Sequence, residues 1–168
     1  VLNGIPQTPY NWTGNLVTYE SQLITLGSFI KNFNATYTVT ASCSLPNGQQ
    51  DMNTANDTNS ISPLHASLKG TYTIGANGKF LTPTEACTYL NKFGVCGPVV
   101  FKIENGTYNN EVMKLYSITG SSDVNTITFM SASNKAKEVV INSKTSDTTI
   151  SLNGCKYVMF KALSITST

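Results

Sequence analysis

The chain has 168 residues with 11 Lys, no Arg and 9 Asp plus Glu, so that only 12% of it is charged. A net charge of +2 without arginine gives no basic surface suited to nucleic acid. No apolar run approaches the ~18 residues that a membrane-inserted span requires. Ser, Thr and Asn together number 58, and a hydrophobic content of 40% is too high for a disordered chain. The composition therefore predicts a water-soluble, β-rich, extracytoplasmic protein.

The two ends of the chain are typical of a segment cut from a larger protein. Val1 is not an initiator methionine, and neither a basic stretch nor an apolar signal core follows it. Residues 163–168 have the pattern of a strand that stops without a cap or tail. We therefore expect the chain to belong to a much larger protein and to span a domain boundary.

The N-terminal third of the chain is predicted to form antiparallel strands. Apolar and polar residues alternate without a fault over 37–45, as in a strand with one buried face. Residues 16–19 and 22–29 are shorter strand candidates, and Pro46-Asn47-Gly48 is a turn signal. Three strands are too few for a sandwich of the usual kind. Residues 1–60 are accordingly predicted to be the C-terminal part of an immunoglobulin-like domain, followed by a polar linker over 61–69.

A single short helix is predicted after the linker. Thr82 fits the N-cap position, Pro83 the first helical position and Glu85 the third, which together make a capping box. Gly94 is a natural residue for the C-terminal end. The predicted helix is Pro83–Phe93, and its apolar positions at helical spacing are Ala86, Tyr89, Leu90 and Phe93.

Three similar strand patterns follow, VVFKI at 99–103, TITFM at 126–130 and YVMFK at 157–161. Further strands are predicted at 139–142 and 149–152. A strand motif that recurs at a period of roughly 20–50 residues is typical of a solenoid, in which each turn covers the apolar face of the last. The phenylalanines that align when the three patterns are superposed would then stack inside it: Phe101, Phe129 and Phe160. The alternative is a second β-sandwich whose strands look alike.

Two known families resemble parts of this chain. Residues 10–16 (YNWTGNL), 46–51 (PNGQQD) and 53–58 (NTANDT) resemble the C-terminal half of adhesin-associated immunoglobulin-like domains. Those domains occur in very large secreted surface proteins of Bacteroidota-type bacteria. The resemblance covers roughly residues 3–58 and implies an extracellular or cell-surface location. Related surface proteins leave through the type IX secretion system, so that system and outer-membrane components are the partners it implies.

The second resemblance covers about residues 70–168. Residues 70–74 (GTYTI), the predicted helix, 94–101 (GVCGPVVF) and 105–108 (NGTY) are similar to the N-terminal cap and first turns of pectin-lyase-like proteins. These are right-handed parallel β-helices in which an amphipathic helix closes the open end. The expected fold class is therefore all-β, a partial immunoglobulin-like sandwich followed by the capped start of a right-handed parallel β-helix.

The cysteines and acidic residues give only weak site candidates, and we expect no cofactor. The four cysteines have no C-x-x-C spacing and His65 is the only histidine, too few ligands for a zinc site. A disulfide between Cys87 and Cys96 would join the helix to the next strand, although four cysteines allow three pairings. Cys43 and Cys155 are expected to be buried thiols.

One oxygen-rich cluster is a weak calcium candidate. It lacks the glycine and glutamate of an EF-hand loop, and the alternative is a tract of Asx turns that closes the domain. Its members are Asp51, Asn53, Asn56 and Asp57.

Tyr10 and Trp12 are a weak glycan-contact candidate. A lone tryptophan beside a strand is more often a core residue, and this alternative stays open at the sequence level.

No catalytic constellation is visible in the sequence. The arginine that would grip an acidic sugar bidentately is missing, and Asp123 and Asp147 have neither a base nor an oxyanion donor beside them in the pattern. The first hypothesis is a non-enzymatic structural and adhesive module, such as a gliding or attachment adhesin, with surface glycans as partners. The alternative is the non-catalytic N-terminal part of a carbohydrate-active β-helix enzyme, a polysaccharide lyase or esterase.

Overall fold

A computed structural model of the chain describes residues 1–32, 35–45, 48–50, 52–144 and 146–167. The chain divides into two compact units, Val1–Ala66 (unit 1) and Ser67–Thr168 (unit 2). The fold is predominantly β, with one α-helix among the described residues. Residues 61–69, predicted to be a linker, include the boundary between the units, the end of one strand and the start of the next.

Among the described residues, the strands of unit 1 form one antiparallel pair, β1 (Tyr37–Ser42) and β2 (Thr58–Leu64), and Leu2 adds an isolated antiparallel bridge to Val39. A 3-10 turn, Thr54–Asn56, leads into β2. Hydroxyls on one face pair across the two strands, Thr38 with Ser62 and Thr40 with Ser60, each at 2.8 Å between oxygens. The strand predicted over 37–45 is thus confirmed from Tyr37 to Ser42, but the predicted buried face is wrong, because Ala41 and Leu45 are exposed.

The strands predicted at 16–19 and 22–29 are wrong. Within the described residues 6–32 no strand is formed, and the backbone is ordered mainly by local contacts such as the Glu20 N–H donating to the Val17 carbonyl at 3.0 Å. Leu23 is 98% exposed. A strand forms only where a neighbouring strand can accept and donate its backbone hydrogen bonds. Residues 16–29 have the apolar residues of a strand, but they pair with no neighbouring strand.

Unit 2 begins with β3 (Leu68–Ile74) and α1 (Pro83–Phe93) and then repeats a pass of three strands. The first pass is β4 (Val95–Ile103), β5 (Gly106–Asn109) and β6 (Met113–Leu115). The second is β7 (Ile127–Ser131), β8 (Val139–Ser143) and β9 (Ile150–Leu152). The third contains β10 (Val158–Lys161) and β11 (Ser164–Ser167).

Corresponding strands of successive passes pair in parallel. The three sheets have the orders β10-β7-β4-β3, β11-β8-β5 and β6-β9, and every pair in them is parallel. A sandwich of the usual kind consists of antiparallel sheets. The alternative of a second sandwich over this region is therefore wrong.

The predicted phenylalanine stack is confirmed. Phe101 and Phe129 lie in register with ring centroids 4.7 Å apart, and Phe129 and Phe160 follow at 5.5 Å, with interplanar angles of 20° and 13°. Tyr72 on β3 extends the row, 5.9 Å from Phe101. Phe101 and Phe129 are fully buried, so this row forms the centre of the core of unit 2.

The predicted helix bounds, Pro83–Phe93, are also confirmed. The Thr82 hydroxyl accepts the Glu85 N–H at 3.2 Å, whereas the Glu85 carboxylate accepts the Leu81 N–H at 2.7 Å, one residue before the usual capping-box partner. Gly94 ends the helix at φ 64°, and a Cβ there would collide with the Thr119 carbonyl. Only glycine fits this end of the helix.

Candidate functional site

The helix α1 lies along β6, and side chains of the helix form hydrogen bonds with backbone groups of β6 and its flanks. The Asn91 amide donates to the Lys114 carbonyl at 2.8 Å and accepts from the Tyr116 N–H at 3.1 Å. The Thr84 hydroxyl, two helical turns earlier, accepts the Val112 N–H at 3.2 Å. Because an exposed strand edge invites unwanted pairing, these contacts explain why a single helix stands beside β6.

A half-open groove runs between the outer surfaces of α1 and β6, and we call it the α1–β6 groove. Its volume is about 560 Å³ and Cys87 lies at its floor. Helical residues form one wall and alternate residues of β6 and its flanks form the other: Thr84, Thr88, Asn91 and Lys92 against Val112, Lys114 and Tyr116. Periods of 3.6 and 2 bring these residues to one surface.

The two ends of the groove differ in charge. At the Thr84 end the Glu111 carboxylate, only 6% exposed, accepts the Thr84 N–H at 2.9 Å and faces the positive end of the helix dipole. At the other end Lys92 and Lys114 are exposed, and the Lys92 ammonium lies 5.0 Å from the Phe93 ring centroid. Within the described residues neither lysine forms an ion pair.

Burial and the Glu111 charge determine the protonation of two neighbours. Burial foremost, then Glu111 and Cys155, raises the pKa of the Cys87 thiol far above its ordinary value of 9.0. Burial foremost, then Glu104 and Glu111, also raises the pKa of the Tyr108 hydroxyl, which donates to the Glu104 carbonyl at 3.0 Å. Cys87 is therefore a neutral thiol and an unreactive part of the floor.

A polar row follows the outer face of the second sheet, at strand spacing of about 4.8 Å. Asn109, Asn142 and Thr166 lie in register on β5, β8 and β11. The side-chain oxygen of Asn142 is buried without a hydrogen-bond partner among the described residues. In this row, which we call the Asn–Thr row, Asn109 and Thr166 are exposed and Asn142 is half-buried.

The four cysteines lie in different environments. Cys87 and Cys96 are both thiols in the structure, and they differ sharply in environment, since Cys87 is 1% exposed and Cys96 lies on the surface. The Cys96 thiol donates to the Ser67 carbonyl with 3.6 Å between the heavy atoms. The expectation that Cys43 and Cys155 are buried is wrong, because Cys43 is exposed and Cys155 is half-buried.

The calcium candidate is only partly within the described residues, because Asp51 lies outside them. Asn53, Asn56 and Asp57 border or form the 3-10 turn before β2, and one Asp57 carboxylate oxygen accepts the Cys43 thiol at 3.6 Å. In the part of the chain that the structure describes, no three His, Cys, Asp or Glu side chains come together in a way that could hold a metal ion.

The glycan-contact candidate lies on the surface. Tyr10 is exposed and Trp12 is 37% exposed, with its indole N–H donating to the Gln22 side chain at 3.3 Å. The interpretation of Trp12 as a core residue is therefore wrong. Asp123 and Asp147 are exposed loop residues.

The sequence did not predict the α1–β6 groove. Its two walls come from separate stretches of the chain, and the pairing of a helix with a strand edge is not encoded in either periodicity. The available signal was an uncharged polar side chain, Asn91, on a helix beside a lysine.

None of the helices in the described residues has the length and apolar character needed to cross a membrane.

No known family model matches the chain, and no curated protein or solved structure is detectably similar to it.

Proposed function

We propose that the chain is a structural and adhesive module of a large secreted cell-surface protein, such as a gliding or attachment adhesin exported by the type IX secretion system. In this proposal unit 2 is the capped start of a right-handed parallel β-helix, and unit 1 is the C-terminal part of an immunoglobulin-like domain. Surface glycans are the proposed partners.

Three features of unit 2 support the β-helix. Strands of successive passes pair in parallel and in register. Aromatic rings stack from pass to pass. The helix α1 covers the edge of β6 with Thr84 and Asn91, as an end-closing helix must. The antiparallel pair β1–β2 is the support for the immunoglobulin-like part.

The Asn–Thr row is the observation on which the adhesive function rests. Its side chains repeat at strand spacing across three passes, and a repeated amide or hydroxyl suits the repeated hydroxyls of a polysaccharide. Each contact of this kind is weak in water. Many copies displayed together gain strength through avidity, by roughly 10²–10⁴-fold.

The test is attachment of protein-coated beads to surfaces that bear purified polysaccharides, with beads coated by an unrelated β-protein as the control. We expect attachment to some of the polysaccharides under multivalent display, and weak binding by the monomer. Attachment to none of them would contradict the adhesive function. Progressive shortening of the bound polysaccharide would also contradict it and would favour the enzyme alternative.

The export route has its own test. We expect the protein at the surface of native cells that have an active type IX system, and inside the envelope of cells that lack one. Equal surface exposure in both would contradict this part of the proposal.

A further inference from the structure

We propose that the α1–β6 groove binds an acidic oligosaccharide, with Lys92 and Lys114 holding its carboxylate or sulfate groups and Tyr116 packing against a sugar ring. This inference rests on the proposed glycan-binding function and names the site and the chemical class of the ligand.

The preference for an acidic ligand follows from the charged donors that the groove offers beside neutral groups that are partly engaged. The Asn91 amide is engaged at both its oxygen and its nitrogen by the backbone of β6 and its flank. The Thr84 hydroxyl accepts the Val112 N–H, and the Thr88 hydroxyl donates to the Thr84 carbonyl at 2.9 Å. The neutral groups that a neutral sugar would use are therefore partly engaged, and the hydrogens they keep are the Thr84 O–H and one Asn91 N–H.

The strongest donors left over are cationic. Within the described part of the chain, the ammonium groups of Lys92 and Lys114 and the hydroxyl of Tyr116 donate no hydrogen bond. Charge-assisted hydrogen bonds to an anionic oxygen are roughly twice as strong as neutral ones. The groove therefore offers most to a ligand that is rich in negatively charged acceptors.

The surrounding charge favours the same ligand. Unit 2 contains 10 Lys against 6 Asp plus Glu, a net charge of +4 by sequence. Glu111, the one buried acid among the described residues, does not line the groove and is paired with the helix N-terminus through the Thr84 N–H. An anion beside Lys92 and Lys114 therefore meets two positive charges that no carboxylate of the described residues neutralises.

The size of the groove and its aromatic side chain favour a sugar over a small inorganic anion. A volume of about 560 Å³ lies within the roughly 300–1,000 Å³ of typical ligand sites. Tyr116 is 49% exposed, and an aromatic ring of this kind offers a flat apolar surface with a polar tip. The C–H face of a pyranose can pack on such a ring while its acidic group reaches a lysine.

The test is calorimetric titration of the whole chain with a uronate oligosaccharide, a sulfated oligosaccharide, a neutral oligosaccharide of equal length and inorganic sulfate. We expect binding of one or both acidic oligosaccharides, weakened by salt, and binding of the neutral one at least tenfold weaker. K92M/K114M is expected to weaken acidic-oligosaccharide binding at least tenfold, and Y116A several-fold. K137M/K156M removes the same charge from exposed positions outside the groove and is expected to bind like the parent. K92Q/K114Q replaces the methionine pair if that variant does not fold.

Three results would overturn the proposal: parental affinity in K92M/K114M, an equal loss in K137M/K156M, or sulfate binding as tight as that of the acidic oligosaccharides. If the groove variants lose no affinity while beads coated with the parent protein still attach to polysaccharide, the groove is rejected as the binding site. The adhesive function is then left intact. Oligosaccharide binding in the groove without any bead attachment would support the groove and reject the adhesive function.

Discussion

The two units bury apolar side chains to very different extents. Among the described residues, the buried apolar side chains of unit 1 are Tyr37 and Ala66, while unit 2 buries 17. In unit 2 each strand lies on the corresponding strand of the previous pass, which takes its backbone hydrogen bonds and covers its side chains together. In unit 1 the described residues 6–32 have comparable apolar content but pair with no strand. Apolar patterning becomes a strand only where a partner satisfies the backbone.

The units also differ in charge. Unit 1 contains one Lys against three Asp plus Glu, whereas unit 2 has 10 Lys against 6 acids. The positive charge of the chain therefore lies in the unit with the stacked core and the α1–β6 groove. We expect ligand binding to follow this division.

The largest effect on stability is expected from the same substitution made in each unit. Phe129→Ala removes a fully buried ring from the middle of the stack, and should lower the free energy of unfolding by about 3–5 kcal/mol. Phe29→Ala in unit 1 removes an exposed ring. Among the aromatic rings of the described residues it contacts only that of Tyr37, with 5.2 Å between the ring centroids, and its loss should lower the free energy of unfolding by about 1 kcal/mol. Denaturant unfolding followed by circular dichroism measures both, and equal losses would contradict the contrast between the units.

A smaller effect is expected at the helix edge. Asn91→Ala removes both side-chain hydrogen bonds to the backbone around β6 and should cost about 1–2 kcal/mol, the net contribution of two solvent-accessible hydrogen bonds. Asn109→Ala, on the exposed outer face of β5, is the matched control and should change stability by less than about 0.5 kcal/mol. A loss in the control as large as in Asn91→Ala would argue against the edge-covering role of α1.

The helix cap should contribute less again. Thr82→Ala removes the acceptor of the Glu85 N–H and should cost about 1 kcal/mol. Thr88→Ala in the middle of the same helix is the control, with a hydroxyl that bonds only back to the Thr84 carbonyl, and alanine there should be neutral or slightly stabilising. Thermal unfolding of the two variants measures the difference in their stability. Equal stability of Thr82→Ala and Thr88→Ala would contradict the role of the cap.

The smallest expected effect on stability, and a clear one on reactivity, concerns the cysteines. In a C43S/C155S background an alkylating reagent should modify exposed Cys96 quickly and buried Cys87 only on unfolding. Because the folded pKa of the Cys87 thiol is raised above its ordinary value of 9.0, its contribution to stability is complete below about pH 9 and is lost as the pH rises further. Cys87→Ala should therefore make the alkaline decline in stability shallower. Mass analysis that found a Cys87–Cys96 disulfide would contradict both expectations.

The sequence predicted the parts of unit 2 that depend on local chemistry or on repetition. Thr82, Pro83 and Gly94 define the helix because caps act on adjacent backbone groups. The stacked phenylalanines could be aligned because the same strand pattern recurs. The strand β2 was missed because its residues are mostly polar and include Pro63, so that only its pairing with β1 reveals it. The groove was missed because Asn91 reaches a strand that is distant from it in the chain, and no local pattern encodes that contact.

The most direct test of the account is a map of amide chemical-shift changes across the whole chain during titration with an acidic oligosaccharide. The account predicts changes centred on Lys92, Lys114 and Tyr116 in unit 2, with smaller changes along the Asn–Thr row. Changes confined to the surroundings of Tyr10 and Trp12 in unit 1 would contradict it, because they would place glycan contact in the acidic unit.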